Sequence, residues 1–183
     1  MTSSPLVAVS SSRTPFSSYS AGITPECRTL ADVGGDKLAP EDIREADLDE
    51  LRDPFGATGD KVDVVVFAAP QLSLIEMRQV ADLCRGHHRH ADTDMIVCTA
   101  ESVYADAVRM GYVDTIEAFG AKVLKGTCFY QQYAREIGEA NGWVRLLSNS
   151  PKIVNILGGY GYRPALATME DCVASAVLGR IVG

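Results

Sequence analysis

The sequence predicts an α/β domain, a parallel sheet of about four strands with helices on both faces. Three observations lead to it. The stretch VDVVVFAA (62–69) is an unbroken β-branched run of the kind buried on both faces of a parallel sheet. Similar apolar runs alternate with helical patterns over roughly 25 to 35 residues, the rhythm of βαβ units. The chain has 183 residues and 46% hydrophobic content, enough for one core of its own and too little for two full domains.

The elements follow in order. Residues 1–21 are rich in serine, with eight in the first twenty, and are expected to be disordered because they bury too little apolar surface to offset the entropy of ordering. Residues 22–60 form a connecting segment in which the acidic run EDIREADLDELRD supports one short helix, about Pro40 to Leu51. The α/β domain spans 61–183. After its first strand, Ser73 and Glu76 make a capping box that opens a helix with Leu74, Met77, Val80 and Leu83 on one face. DMIVCT (94–99) leads to a helix from about Ala100 to Met110, and AKVLKG (121–126) leads to the helix-like stretch YQQYAREIGEA (130–140). WVRLLS (143–148) precedes a helix starting near Pro151, and Thr168 caps a last helix, Met169 to Leu178. GGYGYRP (158–164) reads as a turn and lacks the spacing of a nucleotide loop.

Composition narrows the function classes. A net charge of −7 with no block of Lys or Arg argues against nucleic acid or an anionic membrane surface as the main partner. No apolar run approaches the roughly 20 residues of a membrane span, and the first residues lack a basic secretory n-region. A cytoplasmic protein with a small-molecule or protein partner is expected. The five cysteines (Cys27, Cys84, Cys98, Cys128, Cys172) are odd in number and contain no C-x-x-C pair, so neither a disulfide framework nor a zinc ribbon is suggested.

In parallel sheets ligands sit beyond the carboxyl ends of the strands, which directs attention to the turns 68–73, 99–102, 126–130 and 148–152. In SNSPK, Ser150 is a good N-cap and Pro151 suits the first helical position. Lys152 then sets a positive charge where the helix dipole is already positive, which points to a shared anion; the alternative is a solvated lysine on an ordinary capped helix. Cys128 ends the third strand at the same edge. As a nucleophile it would need a base or a cationic neighbour, and only Lys125 is close in sequence; otherwise it is a small buried thiol. RGHHRH (85–90) invites a metal reading with Asp92 and Asp94, against the plainer reading of cations at a helix carboxyl end. Cys84 and Cys172 fall on apolar helical positions, which burial explains.

Taken together, VVVFAAPQLSLIEM, VCTAESVYADA, GAKVLKGTC, LLSNSPK and TMEDCVASAVLGR resemble the carboxyl-terminal part of the aconitase X catalytic (large-subunit) domain, and GITPECRTL resembles a stretch that precedes it. The resemblance covers residues 22–183 in order. It implies a hydro-lyase acting on a small carboxylate such as cis-3-hydroxy-L-proline, with a base removing a proton beside the carboxylate while hydroxide leaves. It also implies partners: a small anionic substrate, the amino-terminal half of the catalytic portion, which this chain lacks, and a small swivelling subunit. The chain would then be a fragment, inactive alone. Position by position, Cys128 matches a possible iron–sulfur ligand, Thr127 the threonine before it, and Asn149, Ser150 and Lys152 a motif expected at the anionic group of the substrate.

The departures are specific. Ala69 and Gln71 stand where cluster-bearing members have cysteine and histidine, Glu101 where an arginine is common, and Gly126 where an aspartate precedes the Thr-Cys pair. The iron–sulfur cluster that the resemblance implies would therefore lack a second cysteine in this chain. Two further readings stand beside the hydro-lyase: a divergent, non-catalytic α/β domain that binds a partner or a small anion, and a cysteine-dependent hydrolase built on Cys128.

Overall fold

A computed structural model describes residues 19, 21–37, 39, 44 and 59–182. The chain divides into two compact units, Met1–Glu45 and Ala46–Gly183. The short helix expected over Pro40 to Leu51 and most of the serine-rich start lie outside the described residues.

In the first unit, the GITPEC stretch is a tight loop in which Gly22 N–H donates to Cys27 O at 2.9 Å and Cys27 N–H to Thr24 O at 2.9 Å. A 3-10 turn, Leu30–Val33, follows, opened by a capping box in which Thr29 N–H donates to the Asp32 carboxylate at 2.7 Å.

The second unit holds a sheet of five parallel strands: β1 (Val64–Leu72), β2 (Asp94–Thr99), β3 (Lys122–Lys125), β4 (Arg145–Ser148) and β5 (Arg163–Leu166), in spatial order β3-β2-β1-β4-β5. Among the described residues five helices connect them, α1 (Leu74–Cys84), α2 (Glu101–Arg109), α3 (Tyr112–Ala118), α4 (Ala134–Asn141) and α5 (Pro151–Leu157), and α6 (Met169–Leu178) follows β5; α3 was not expected from the sequence. The strand that periodicity missed is β5. GGYGYRP is only partly a turn, a 3-10 turn over Gly158–Tyr160; its last residues already run along β4, and four residues with a proline carry too weak a pattern to read. The stretch 130–140 is likewise not one helix. A 3-10 turn (Phe129–Gln131) comes first, Tyr133 adopts a left-handed φ of 55°, and only then does α4 begin.

Alternation along β1 builds the two layers. Val65 and Phe67 face a core with α1, α3 and α6, while Val64, Val66 and Ala68 face a second core with Phe129, Trp143, α5 and Tyr162. Because both faces are covered, every residue from Val64 to Ala69 is buried, which is why the run reads as continuous apolar sequence. The capping box of α1 forms as expected, with Ser73 N–H donating to the Glu76 carboxylate at 2.8 Å, and α6 starts under the Thr168 cap.

At the amino-terminal edge, Asp63 accepts from the backbone N–H of Arg145 at 2.8 Å and of Val144 at 3.0 Å, and pairs with Lys61 at 3.0 Å. Burial alone would raise its pKa, but these donors together hold the carboxyl below its ordinary value. Its stabilisation is therefore complete above the ordinary carboxylate pKa and is lost as pH falls through the depressed one. Denaturation of wild type and Asp63→Asn at successive pH values should show the wild type losing its advantage only in acid; a constant difference across that range would refute this.

The second fold prediction concerns α4. The Tyr162 hydroxyl is buried and donates to Ala134 O at 2.6 Å, and a methyl added at Gly138 would sit 2.6 Å from that oxygen. In an exposed helix Gly→Ala stabilises by about 1 kcal/mol. Here the sign reverses: Gly138→Ala should cost roughly 1–3 kcal/mol, the usual penalty of overpacking, measured as a lower urea midpoint.

Candidate active site at the strand ends

The order of the strands locates the crevice. The chain moves from β1 outward through β2 to β3, then crosses back to lay β4 on the other side of β1. The switch point therefore lies between β1 and β4, where the helices following the two strands leave in opposite directions and open a cleft. The turns at that point are residues 68–73 and 148–152, which hold Ala69, Gln71, Asn149, Ser150 and Lys152.

Serines set the geometry of the β4 end. Ser148 and Ser150 are both buried. The Ser148 hydroxyl donates to Val66 O at 2.6 Å and accepts from Ser150 N–H at 3.2 Å. The Ser150 hydroxyl donates to Ala69 O at 2.7 Å and accepts from Ile153 N–H at 3.3 Å, so the expected N-cap forms and also clamps the end of β1. Ala69 itself is held at a left-handed φ of 49°, uncommon for a residue with a side chain. Beyond Phe67 the pairing of β1 with β2 is interrupted and resumes at Leu72, whose carbonyl accepts from the buried Thr99 hydroxyl at 2.7 Å.

The β3 turn reaches the same place from two strands away. Gly126, at a positive φ of 67°, donates its N–H to Thr99 O at 2.9 Å and turns the chain back over the end of β2. Gln71 then donates from its side-chain amide to Thr127 O at 2.8 Å, joining the β1 and β3 turns. Cys128 follows, 9% exposed, and leads into the 3-10 turn carrying Phe129 and Tyr130. The Lys152 ammonium lies 5.8 Å from the centre of the Tyr130 ring, so this turn meets the first residues of α5. All five residues singled out from sequence, Thr127, Cys128, Asn149, Ser150 and Lys152, thus lie on two turns that border one crevice. Ser148, Thr99 and Tyr130 fall within the turns marked from sequence but were given no role there. A buried serine or threonine at the end of an apolar strand was the available signal for the first two; nothing in the sequence marks Tyr130.

Two positions behave as their chemistry dictates. Glu101 is exposed in the first turn of α2, where a carboxylate meets the positive end of the dipole, and α2 has no side-chain cap. Lys125 lies 5.3 Å from the centre of the Tyr104 ring. Burial pushes the Cys98 thiol up to about 12; charge on nearby Cys128 adds to this, and a hydrogen bond from the Phe129 backbone opposes it. Burial also pushes the Cys84 thiol up to about 12 and raises that of Cys172.

RGHHRH lies between α1 and β2, at the amino-terminal edge of the sheet and away from the crevice. There Arg89 donates to the carbonyls of Gly120 at 3.0 Å, His90 at 3.1 Å, Ala91 at 3.1 Å and Thr93 at 2.8 Å. The histidines of that loop and Cys128 are therefore at opposite edges of the sheet, which removes the Cys-His pair that a hydrolase would need.

A family model described as the aconitase X third domain matches residues 62–178. The chain belongs to the aconitase X family. It is 31% identical over 164 residues to a cis-3-hydroxy-L-proline dehydratase of Pseudomonas aeruginosa, covering 87% of this chain and 28% of that protein. It is 29% identical over 134 residues to a phosphomevalonate dehydratase large subunit of Methanocaldococcus jannaschii, covering 73% of this chain and 32% of that protein. The crystal structure of Thermococcus kodakaraensis aconitase X (holo-form) shares the fold, with a TM-score of 0.60 at 19% identity over 78% of this chain and 37% of that one. The chain thus spans about a third of the length of these relatives. Among the described residues no helix is long and apolar enough to cross a membrane.

The clamp at Ser150 yields a stability prediction. Ser150→Ala removes the α5 cap and leaves the Ala69 carbonyl without its donor, so it should cost about 2 kcal/mol. Lys152→Ala, at an exposed position, should change stability by less than about 0.5 kcal/mol. Equal urea midpoints for the two variants would contradict this account.

Proposed function

We propose that this chain supplies the switch-point crevice of an aconitase X hydro-lyase, acting on a small hydroxy-carboxylate such as cis-3-hydroxy-L-proline only after other polypeptides complete the site. One observation carries the reading: the family match spans the domain whose switch-point turn 148–152 carries Asn149, Ser150 and Lys152, while Gln71 of the other switch-point turn bonds to Thr127. The names of two kinds of relative, both dehydratases, support it, as does the large-subunit description of one of them. In this reading Lys152 attracts the anionic group of the substrate and Asn149 and Thr127 orient it. Ser150 keeps the turn in place through its clamp on Ala69. The proton-abstracting base comes from the amino-terminal half of the catalytic portion, and a small swivelling subunit closes the site. A cytoplasmic location fits a substrate of this class.

The iron–sulfur cluster implied by the family does not fit the residues of this chain. Ala69 offers no ligand atom on its side chain, and its carbonyl is already engaged by Ser150. Gln71 is engaged with Thr127 O. Among the described residues no three His, Cys, Asp or Glu side chains gather to hold a metal ion.

A second reading, a divergent domain that binds a partner or a small anion without catalysis, is favoured by Ala69, Gln71 and Glu101 at the three departing positions.

Co-expression with polypeptides that supply the remaining two thirds of the relatives' length, followed by assay on cis-3-hydroxy-L-proline and phosphomevalonate, separates the two readings. Dehydration of either substrate is expected. Lys152→Ala should then raise KM at least about tenfold, the weight of one charge-assisted hydrogen bond. A stable assembly without activity on either substrate would leave the binding-domain reading standing.

A further inference from the structure

We infer that Cys98 and Cys128 form a dithiol at the rim of the crevice that closes reversibly to an intramolecular disulfide when a peroxide is the oxidant. The topology brings the two together. Cys98 is the penultimate residue of β2 and pairs in register with Leu124 of β3. The chain then leaves β3, is turned back by the Gly126 N–H bond to Thr99 O, and sets Cys128 over the end of β2. Burial raises the Cys98 thiol, charge on Cys128 raises it further and the Phe129 backbone N–H opposes this, which supports the placement that the topology gives. Both belong to the same apolar cluster. Cys84 and Cys172 belong to the cluster on the opposite face of the sheet and cannot compete.

Exposure assigns the roles. Cys98 is fully buried and Cys128 is 9% exposed, so an oxidant arriving through the crevice meets Cys128 first. The Cys128 thiolate attacks one peroxide oxygen and breaks the O–O bond, giving the sulfenic acid, while the other oxygen leaves as water with the thiol proton. The Cys98 sulfur then attacks the Cys128 sulfur; the S–S bond forms, the S–O bond breaks, and hydroxide departs as water with the Cys98 proton. In sum, two thiols and one hydrogen peroxide give one disulfide and two waters. A low-molecular-weight thiol reverses the step by exchange. The closed form ties the 126–131 turn to β2 and so fixes Tyr130, the ring against which Lys152 rests. This inference does not depend on the hydro-lyase reading, since it requires neither a substrate nor a partner polypeptide.

The full chain, reduced and then treated with hydrogen peroxide in native buffer, tests it by intact mass and peptide mapping after alkylation of free thiols. The expected result is the loss of two hydrogens, a single cross-linked peptide pair containing Cys98 and Cys128, and full recovery of both thiols with dithiothreitol. A trivalent phenylarsenical, which needs two close thiols, should bind once per wild-type chain and not at all to Cys128→Ser, while Cys172→Ser retains it. Because Cys98 is wholly buried and its replacement could unfold the chain, the rim variant Cys128→Ser and the wild-type peptide map carry the decision. Recovery of Cys128 as sulfinic acid with Cys98 free, or a link through any other cysteine, would overturn the inference.

Discussion

The carboxyl end of β1 is the constraint on which the rest of the crevice depends. β1 is the central strand, covered on both faces, and its ladder with β2 is interrupted after Phe67. Its last carbonyl groups must still find donors, since a buried carbonyl without one costs about 1–3 kcal/mol. Side chains from neighbouring turns supply them: Ser148 to Val66, Ser150 to Ala69 and Thr99 to Leu72. Each bond that satisfies β1 also fixes the turn that donates it. The crevice is shaped by backbone satisfaction before any ligand is considered.

That dependence makes the shape of the turns independent of any bound ligand. Ser150 stabilises the fold whether or not a substrate is bound, because it caps α5 and donates to the Ala69 carbonyl of β1. Ala69 and Gln71 carry no such joint duty through the atoms that differ: the Ala69 contact uses its carbonyl, which any side chain would leave in place. Gln71 makes a bond of its own to the β3 turn, which joins that turn to the end of β1. The turns at the carboxyl end of β1 are thus fixed by hydrogen bonds made within this unit.

Much of this was readable from residues alone because it rests on local rules. Ser73 with Glu76, Ser150 with Pro151, and Thr168 each mark a helix start, since the first N–H groups of any helix need an acceptor and these side chains supply one. The apolar run at β1 announced a doubly covered strand for an equally local reason. The places that escaped reading share a different cause. β5 has four residues, one of them proline, and exists because β4 offers it an edge. Residues 130–140 have helical composition, yet Tyr133 turns left-handed so that Phe129 can enter the core beneath Trp143 and Tyr162. Long-range packing overrode local preference in both.

Sequence by itself determined the class of fold, the starts of α1, α5 and α6 and the family to which the chain belongs, because each is encoded in periodicity, capping chemistry or ordered motifs. Only the tertiary structure decided that the crevice lies between β1 and β4. That follows from the chain's crossing back over β1, a choice made by pairing and handedness that no single segment records. It also decided the company of Cys128. A cysteine read as a possible cluster ligand shares an apolar cluster with Cys98, thirty residues earlier in the chain, because Gly126 bonds the β3 turn back to Thr99 at the end of β2.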